Sequence, residues 1–239
     1  MKHVPNVITS LNLVSGFIAI IFAANGNLIT ASFLIFAAML FDFLDGLSAR
    51  LLKAYSETGK ELDSLADIVS FGVAPALIIY QLLNNSLSIY APAIVNSAWL
   101  KSSLIFIFPA IMPVCGALRL AKFNIDTTQA TTFKGLPIPA NALAVISIVI
   151  TGQFSHSSIL RSIIGSPVIL IVFTAILSLL MVTRVPFLSL KLTNFKFKGN
   201  EGRYVLAGLV LISLAIFKVM AFPLIIPLYI ISSAISLLF

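Results

Sequence analysis

The 239 residues are 59% hydrophobic and only 10% charged, with a mean hydropathy of +1.10. Soluble globular chains carry about 25% charged residues, so this composition excludes a soluble domain and points to an integral membrane protein. The net charge of +7 lies in short stretches between apolar runs, the pattern of topology determinants and not of a nucleic-acid-binding face, and the single cysteine, Cys115, excludes a disulfide framework.

Apolar runs of spanning length recur along the whole chain, which favours helices over a barrel as the way to satisfy the backbone. The first 27 residues have a basic start and an apolar centre, but the polar residues within that centre argue against a signal peptide. Eight spans are predicted: Val7 to Ala24, Leu28 to Leu52, Asp63 to Leu83, Leu104 to Lys122, Leu136 to Gln153, Pro167 to Thr183, Tyr204 to Ala221 and Pro223 to Phe239. An all-α polytopic bundle forming one domain over 1–239 is expected, with both termini on the same side. With those termini cytoplasmic, the inside loops hold all the basic residues except Lys101, Arg161 and Lys218. That asymmetry sets the orientation.

Span one carries Asn6, Thr9, Asn12 and Gly16 on one helical face. The face reads either as a small-residue packing surface or as a ligand-facing one. Next comes the densest acid in the chain: Asp42, Asp45, Glu57, Glu61, Asp63 and Asp67 are six of its eight acidic residues. Ionisable groups at the ends of apolar spans are functional candidates by default. At 100° per residue, Asp42, Asp45, Gly46 and Ala49 share one sector of span two, with Arg50 at its edge, while Gly59, Asp63 and Asp67 recur every four residues. If spans two and three pack as antiparallel neighbours, four aspartates converge. Glu57 and Glu61 fall off that face and read as solvated loop charges.

Four converging carboxylates must take up protons or hold cations, and hard oxygen ligands in that number suit Mg²⁺ or Mn²⁺. Two such ions can clamp phosphoryl oxygens during a displacement, and the small residues leave room for a substrate against the backbone. At the cytoplasmic end of span four, Arg119 and Lys122 share a face, read either as positive-inside anchoring or as an anion clamp. The stretch from Arg184 to Arg203, with Lys196 and Lys198 flanking Phe197, reads as a solvated topology loop. Nothing in the last two spans points to chemistry.

The spacing D-x2-D-G-x2-A-R-x8-G-x3-D-x3-D, met by Asp42, Asp45, Gly46, Ala49, Arg50, Gly59, Asp63 and Asp67, resembles the signature of the CDP-alcohol phosphatidyltransferases. PNVITSLNLVSGFIAI, DSLADIVSFGVAPA, ALRLAKFN and GLPIPA look like the phosphatidylserine synthase branch of that family, with weaker likeness through MVTRVPFLSLK. Lys122 departs from the pattern, standing where that branch often has arginine. The resemblance implies a catalytic core over about 1–183 and two added spans over about 204–239. It implies two Mg²⁺ or Mn²⁺ ions on Asp42, Asp45, Asp63 and Asp67, with Asp67 also the general base. Asn6, Thr9, Gly46, Ala49, Arg50 and Gly59 would hold the CDP moiety, while Arg119 and Lys122 would bind either the lipid phosphate or the serine carboxylate. The substrates implied are CDP-diacylglycerol and L-serine, the products phosphatidylserine and CMP, and the setting a homodimer in the inner membrane with its site facing the cytoplasm. Two other readings stand beside this one: transfer to glycerol 3-phosphate or inositol phosphate, and, from a different class, a divalent-cation transporter.

Overall fold

The computed structural model describes residues 3–90, 98–126, 132–155, 158–188 and 200–235, so Lys2, Lys191, Lys196 and Lys198 lie outside the described residues. Helix α1 (Val4–Ala24) opens on Pro5, whose missing N–H costs nothing in a first turn. A turn through Gly26, at φ +78°, leads into α2 (Leu28–Leu51), where the Asn27 side chain accepts a hydrogen bond from the Thr30 N–H at 3.1 Å. The two helices pack extensively, and the fully buried Ala19, Ala23, Ala31 and Ala38 contribute no bulk to that approach.

Beyond Lys53 (φ +49°), Ser56 caps α3 (Glu57–Asp67) by accepting from the Gly59 N–H at 3.0 Å. Helical structure therefore begins at Glu57 and not at Asp63. Glu57 and Glu61 are exposed as expected, but they ride on the first turns of a helix, where a carboxylate complements the N-terminal dipole. From Asp67 the chain runs through a π-helical segment, Ile68–Val73, into α4 (Ala74–Tyr90).

Helix α5 (Ala98–Ile125) contains Pro109 and Pro113. It is followed by strand β1 (Thr132–Lys134), α6 (Ile138–Phe154), α7 (Ser158–Gly165), α8 (Pro167–Val182), strand β2 (Pro186–Leu188), α9 (Glu201–Phe217) and α10 (Ile225–Ile235). The strands pair antiparallel, with Lys134 opposite Pro186 and Thr132 opposite Leu188. This ribbon is the only sheet among the described residues of an otherwise helical bundle.

Among the described residues, five stretches are long and apolar enough to cross a membrane: Val4–Ala24, Leu28–Leu51, Glu57–Ile89, Lys101–Ile125 and Glu201–Ile235. The last of these is bent: α9 and α10 pack on each other, so the chain turns back across the 3₁₀ segment Lys218–Leu224, where Lys218 has φ +50°. Helices α6 and α8 are apolar but shorter, at 17 and 16 residues. Large side chains such as Phe17, Phe43, Phe106 and Leu211 point outward, as they do when the solvent is lipid.

The third span packs on the second mainly through the π segment and α4, while at the aspartate end α1 is the neighbour common to α2 and α3. That arrangement depends on a close approach. A Cβ built on Gly16 would stand 2.7 Å from the Ser70 Cα, a backbone atom that cannot swing aside. A Cβ on Gly46 meets nothing within 4 Å. Gly16→Ala is therefore expected to destabilise the fold by about 1–3 kcal/mol, whereas Gly46→Ala leaves it unchanged; thermal unfolding of the two variants in detergent micelles distinguishes them.

Candidate active site

Asp42 and Asp45 project from α2 and Asp63 and Asp67 from α3, each pair at a spacing that keeps it on one side of its helix. One carboxylate oxygen from each of Asp42, Asp63 and Asp67 lies within 4.8 Å of the other two. Asp45 stands outside this trio. It is buried beside α1, within reach of the Thr9 hydroxyl and the Gly46 N–H, and its Oδ2 has no hydrogen-bond partner. Asp67 interacts electrostatically with all three other aspartates, so the four form one neighbourhood. Like charges at such separations repel by about 3–4 kcal/mol per pair at an effective dielectric near 20.

The polar face of α1 is spent on this neighbourhood. The Asn12 amide, fully buried, donates to Asp67 Oδ1 at 3.3 Å, while its backbone carbonyl accepts from the Ser70 hydroxyl at 3.0 Å. Thr9 donates to the Pro5 carbonyl at 3.0 Å and lies within hydrogen-bonding reach of Asp45. A Cβ on Gly59 would approach Asn6 Oδ1 to 3.0 Å, so that glycine lets α3 lie against α1. Ser70 belongs to the π-helical segment that starts just after Asp67, a type of irregularity frequent at functional sites.

These residues fit a hard divalent cation. Three carboxylates reach a common point from two helices, and beside them the buried Asp45 Oδ2 and Asn12 Oδ1 lack hydrogen-bond partners within the protein. Buried polar atoms of that kind are rare unless an ion or water completes them. On the open side, the Gly46 face is clear, Ala49 is half-buried, and the exposed Arg50 is tied back by its Nε to the Gly46 carbonyl at 3.1 Å.

Next to the aspartates is a cavity of about 620 Å³ lined by Arg119, Lys122, Ile125, Asp126, Lys134 and Met181 to Arg184. Arg119 is buried, lies 5.7 Å from the Phe123 ring centroid and interacts electrostatically with Asp67, which links the cavity to the carboxylates. Lys122 is exposed on the cavity wall. Lys134 makes an ion pair with Asp126 at 2.9 Å. Lys60 Nζ donates to the Asn124 carbonyl at 3.0 Å, and Asn124 donates to Ser64 at 2.9 Å, tying α3 to α5.

All the residues expected at the site therefore lie around one end of the bundle. Sequence reasoning gave no role to Asn12 beyond its place on the α1 face, and it passed over Ser70, Asp126, Lys134 and Arg184 as site residues. For Asn12 the signal was present in its register with Asn6 and Thr9. The cavity residues are joined by a ribbon that no periodicity announces.

Carboxylates gathered from two membrane helices beside a basic cavity are an arrangement that suits a membrane-embedded enzyme acting on phosphorylated substrates. The family model for CDP-alcohol phosphatidyltransferase matches residues 2–185, and the chain belongs to that family. It is similar to the CDP-diacylglycerol–serine O-phosphatidyltransferase of Bacillus subtilis, 34% identical over 187 residues that cover 78% of this chain and 90% of that protein. It is 33% identical over 196 residues to the enzyme of the same name from Helicobacter pylori, covering 81% of this chain and 75% of that one. The archaetidylserine synthase of Methanothermobacter thermautotrophicus is 38% identical over 156 residues, 64% of this chain and 60% of its own length.

Because Asn12 orients Asp67 from outside the carboxylate trio, Asn12→Ala is expected to weaken Mn²⁺ binding by about 10- to 100-fold. Titration followed by electron paramagnetic resonance measures this directly, and Glu61→Gln, on an exposed part of the same α3, should leave the affinity unchanged.

Proposed function

We propose that the chain transfers the phosphatidyl group of CDP-diacylglycerol to the hydroxyl of L-serine, giving phosphatidylserine and CMP. The observation that carries this reading is the convergence of Asp42, Asp63 and Asp67 on one point beside a cationic cavity, within the segment matched by the family model. The names of the bacterial relatives support serine as the acceptor.

Asp42, Asp45, Asp63 and Asp67 would hold two Mg²⁺ or Mn²⁺ ions, which when bound supply neutralisation of the charge developing on the diphosphate. Asp67 takes the proton of the serine hydroxyl as its oxygen bonds to the β-phosphorus, and the bond from that phosphorus to CMP breaks with the electron pair leaving on CMP. A hydroxyl is a poor nucleophile without such a base. Asn12 orients the carboxylate by its hydrogen bond to Oδ1. The CDP moiety lies along the clear face of α2 at Gly46 and Ala49, with Arg50, Gly59, Asn6 and Thr9 around it. Arg119 and Lys122 receive the serine carboxylate in the cavity.

The same proposal covers the topology. All eight spans cross, with a single domain over 1–239, a catalytic core over about 1–183 and two added spans over about 204–239. The start of α1 packs at the aspartate end, and Ser233 near the end of α10 meets Leu188, whose ribbon borders the cavity at that same end. An even number of crossings agrees with this, and the basic residues around the cavity support a cytoplasmic setting for that end, in a homodimer of the inner membrane.

Purified protein given CDP-diacylglycerol, Mg²⁺ or Mn²⁺ and L-serine is expected to release CMP faster than with glycerol 3-phosphate or inositol phosphate. Equal or faster release with glycerol 3-phosphate would overturn the acceptor assignment. Asp67→Asn should lower kcat by about 10²- to 10⁴-fold in a folded, membrane-inserted protein. Metal uptake by proteoliposomes without CMP release would instead support a transporter.

A further inference from the structure

The family match ends at residue 185, immediately before β2, and the helices α9 and α10 lie wholly beyond it. We infer that α10 is a positioning element for the alcohol acceptor: Tyr229 and Ser233 clamp β2 at Leu188 and thereby fix the wall of the cationic cavity. The inference rests on the reading above that the acceptor's charged group occupies that cavity.

Two strands of three residues are not stable by themselves, since an isolated two-stranded ribbon is marginal at best in water. Here the ribbon is held from both sides. Along one edge β2 pairs with β1, and just beyond it the Gly135 N–H donates to the Val185 carbonyl and the Leu136 N–H to the Leu180 carbonyl, both at 2.9 Å. Gly135 is required at this junction, because it sits at φ +82° and a Cβ there would press on the carbonyls of Met181 and Thr183. On the other side both backbone groups of Leu188 are taken by α10. The Tyr229 hydroxyl donates to the Leu188 carbonyl at 2.9 Å, and the Leu188 N–H donates to Ser233 Oγ at 3.1 Å. Ser233 Oγ in turn donates to the Tyr229 carbonyl at 2.7 Å, and the Tyr229 ring stacks on Phe187 with centroids 5.8 Å apart. Spaced four apart on one helix face, the two side chains serve β2 as a third strand would.

The wall held in this way carries the cavity's chemistry. Lys134 pairs with Pro186 in the ribbon, and Met181 to Arg184 lead into β2; all five line the cavity with Arg119. Tyr229, itself buried, also lies within electrostatic reach of Arg119. The aspartates, by contrast, are packed mainly against α1, whose principal packing partners are α2, α3, the π segment and α4, and not β2 or α10. Loosening the clamp therefore acts on acceptor binding and spares the phosphoryl chemistry.

The test uses the full chain in detergent micelles and whichever of L-serine, glycerol 3-phosphate and inositol phosphate gives the wild type its fastest CMP release. A preference other than serine overturns the acceptor assignment and leaves the clamp to be judged on the preferred alcohol. Tyr229→Phe keeps the ring stack and removes the hydroxyl, Ser233→Ala removes the other half of the clamp, and Ser233→Thr retains it. Each of the first two variants should raise the acceptor KM about three- to tenfold, the effect of one lost hydrogen bond. Both kcat and the KM for CDP-diacylglycerol should stay within about twofold, and Ser233→Thr should behave as wild type. Amide hydrogen exchange over 132–136 and 185–188 gives a reading independent of turnover, and it should quicken in Tyr229→Phe and Ser233→Ala only. An unchanged acceptor KM in both variants, a fall in kcat alone, or unaltered exchange would overturn the inference.

Discussion

Carboxylates held within 4.8 Å of one another at the end of an apolar bundle oppose their own assembly, and most of what surrounds them is arranged to keep them there. Helix α1 is the main restraint. It touches both α2 and α3, and its small and polar face meets the acidic helices at Thr9, Asn12 and Gly16. The contact at Gly16 and Ser70 has no room for a methyl group. A bundle that gained a cation at this point would trade electrostatic repulsion for coordination, which is how an otherwise unfavourable cluster becomes a stable part of the fold.

Much of this was legible in the sequence because the relevant signals are periodic. Hydrophobic run length gave the helices, and the spacing of three and four residues placed Asp42 with Asp45 and Asp63 with Asp67. The face of α1 was visible as Asn6, Thr9, Asn12 and Gly16, but its purpose was not. An Asn on a membrane helix packs and hydrogen-bonds equally well against a neighbour or a ligand. Only the approach of α3 shows that Asn12 serves an aspartate. The start of α3 carries no apolar stripe to announce it, because Glu57 to Glu61 include no apolar side chain and the helix start is set by the Ser56 cap.

The cationic cavity was less legible. Arg119 and Lys122 share one helix and could be paired by register, but Lys134 and Arg184 join them through strands too short to carry an alternating pattern. The contribution of α10 was hidden altogether. Its composition is that of an ordinary membrane helix, and a tyrosine and a serine four residues apart acquire meaning only when Leu188 is brought between them from 41 and 45 residues away. Local pattern describes helices and their faces; it says little of contacts closed over such distances. The residues matched by the family model and the helices beyond that match thus meet at the ribbon, with the aspartates on one side of Arg119 and the clamp on the other.

The aspartates of α2 and α3 are proposed to form a centre for divalent cations at which a CDP-activated lipid is cleaved. Anomalous diffraction from crystals grown with Mn²⁺ and CDP-diacylglycerol tests it most directly. Manganese peaks are expected among Asp42, Asp45, Asp63 and Asp67, with the diphosphate against them and the nucleotide along the Gly46 face. Peaks elsewhere, or a nucleotide bound away from these carboxylates, would contradict it.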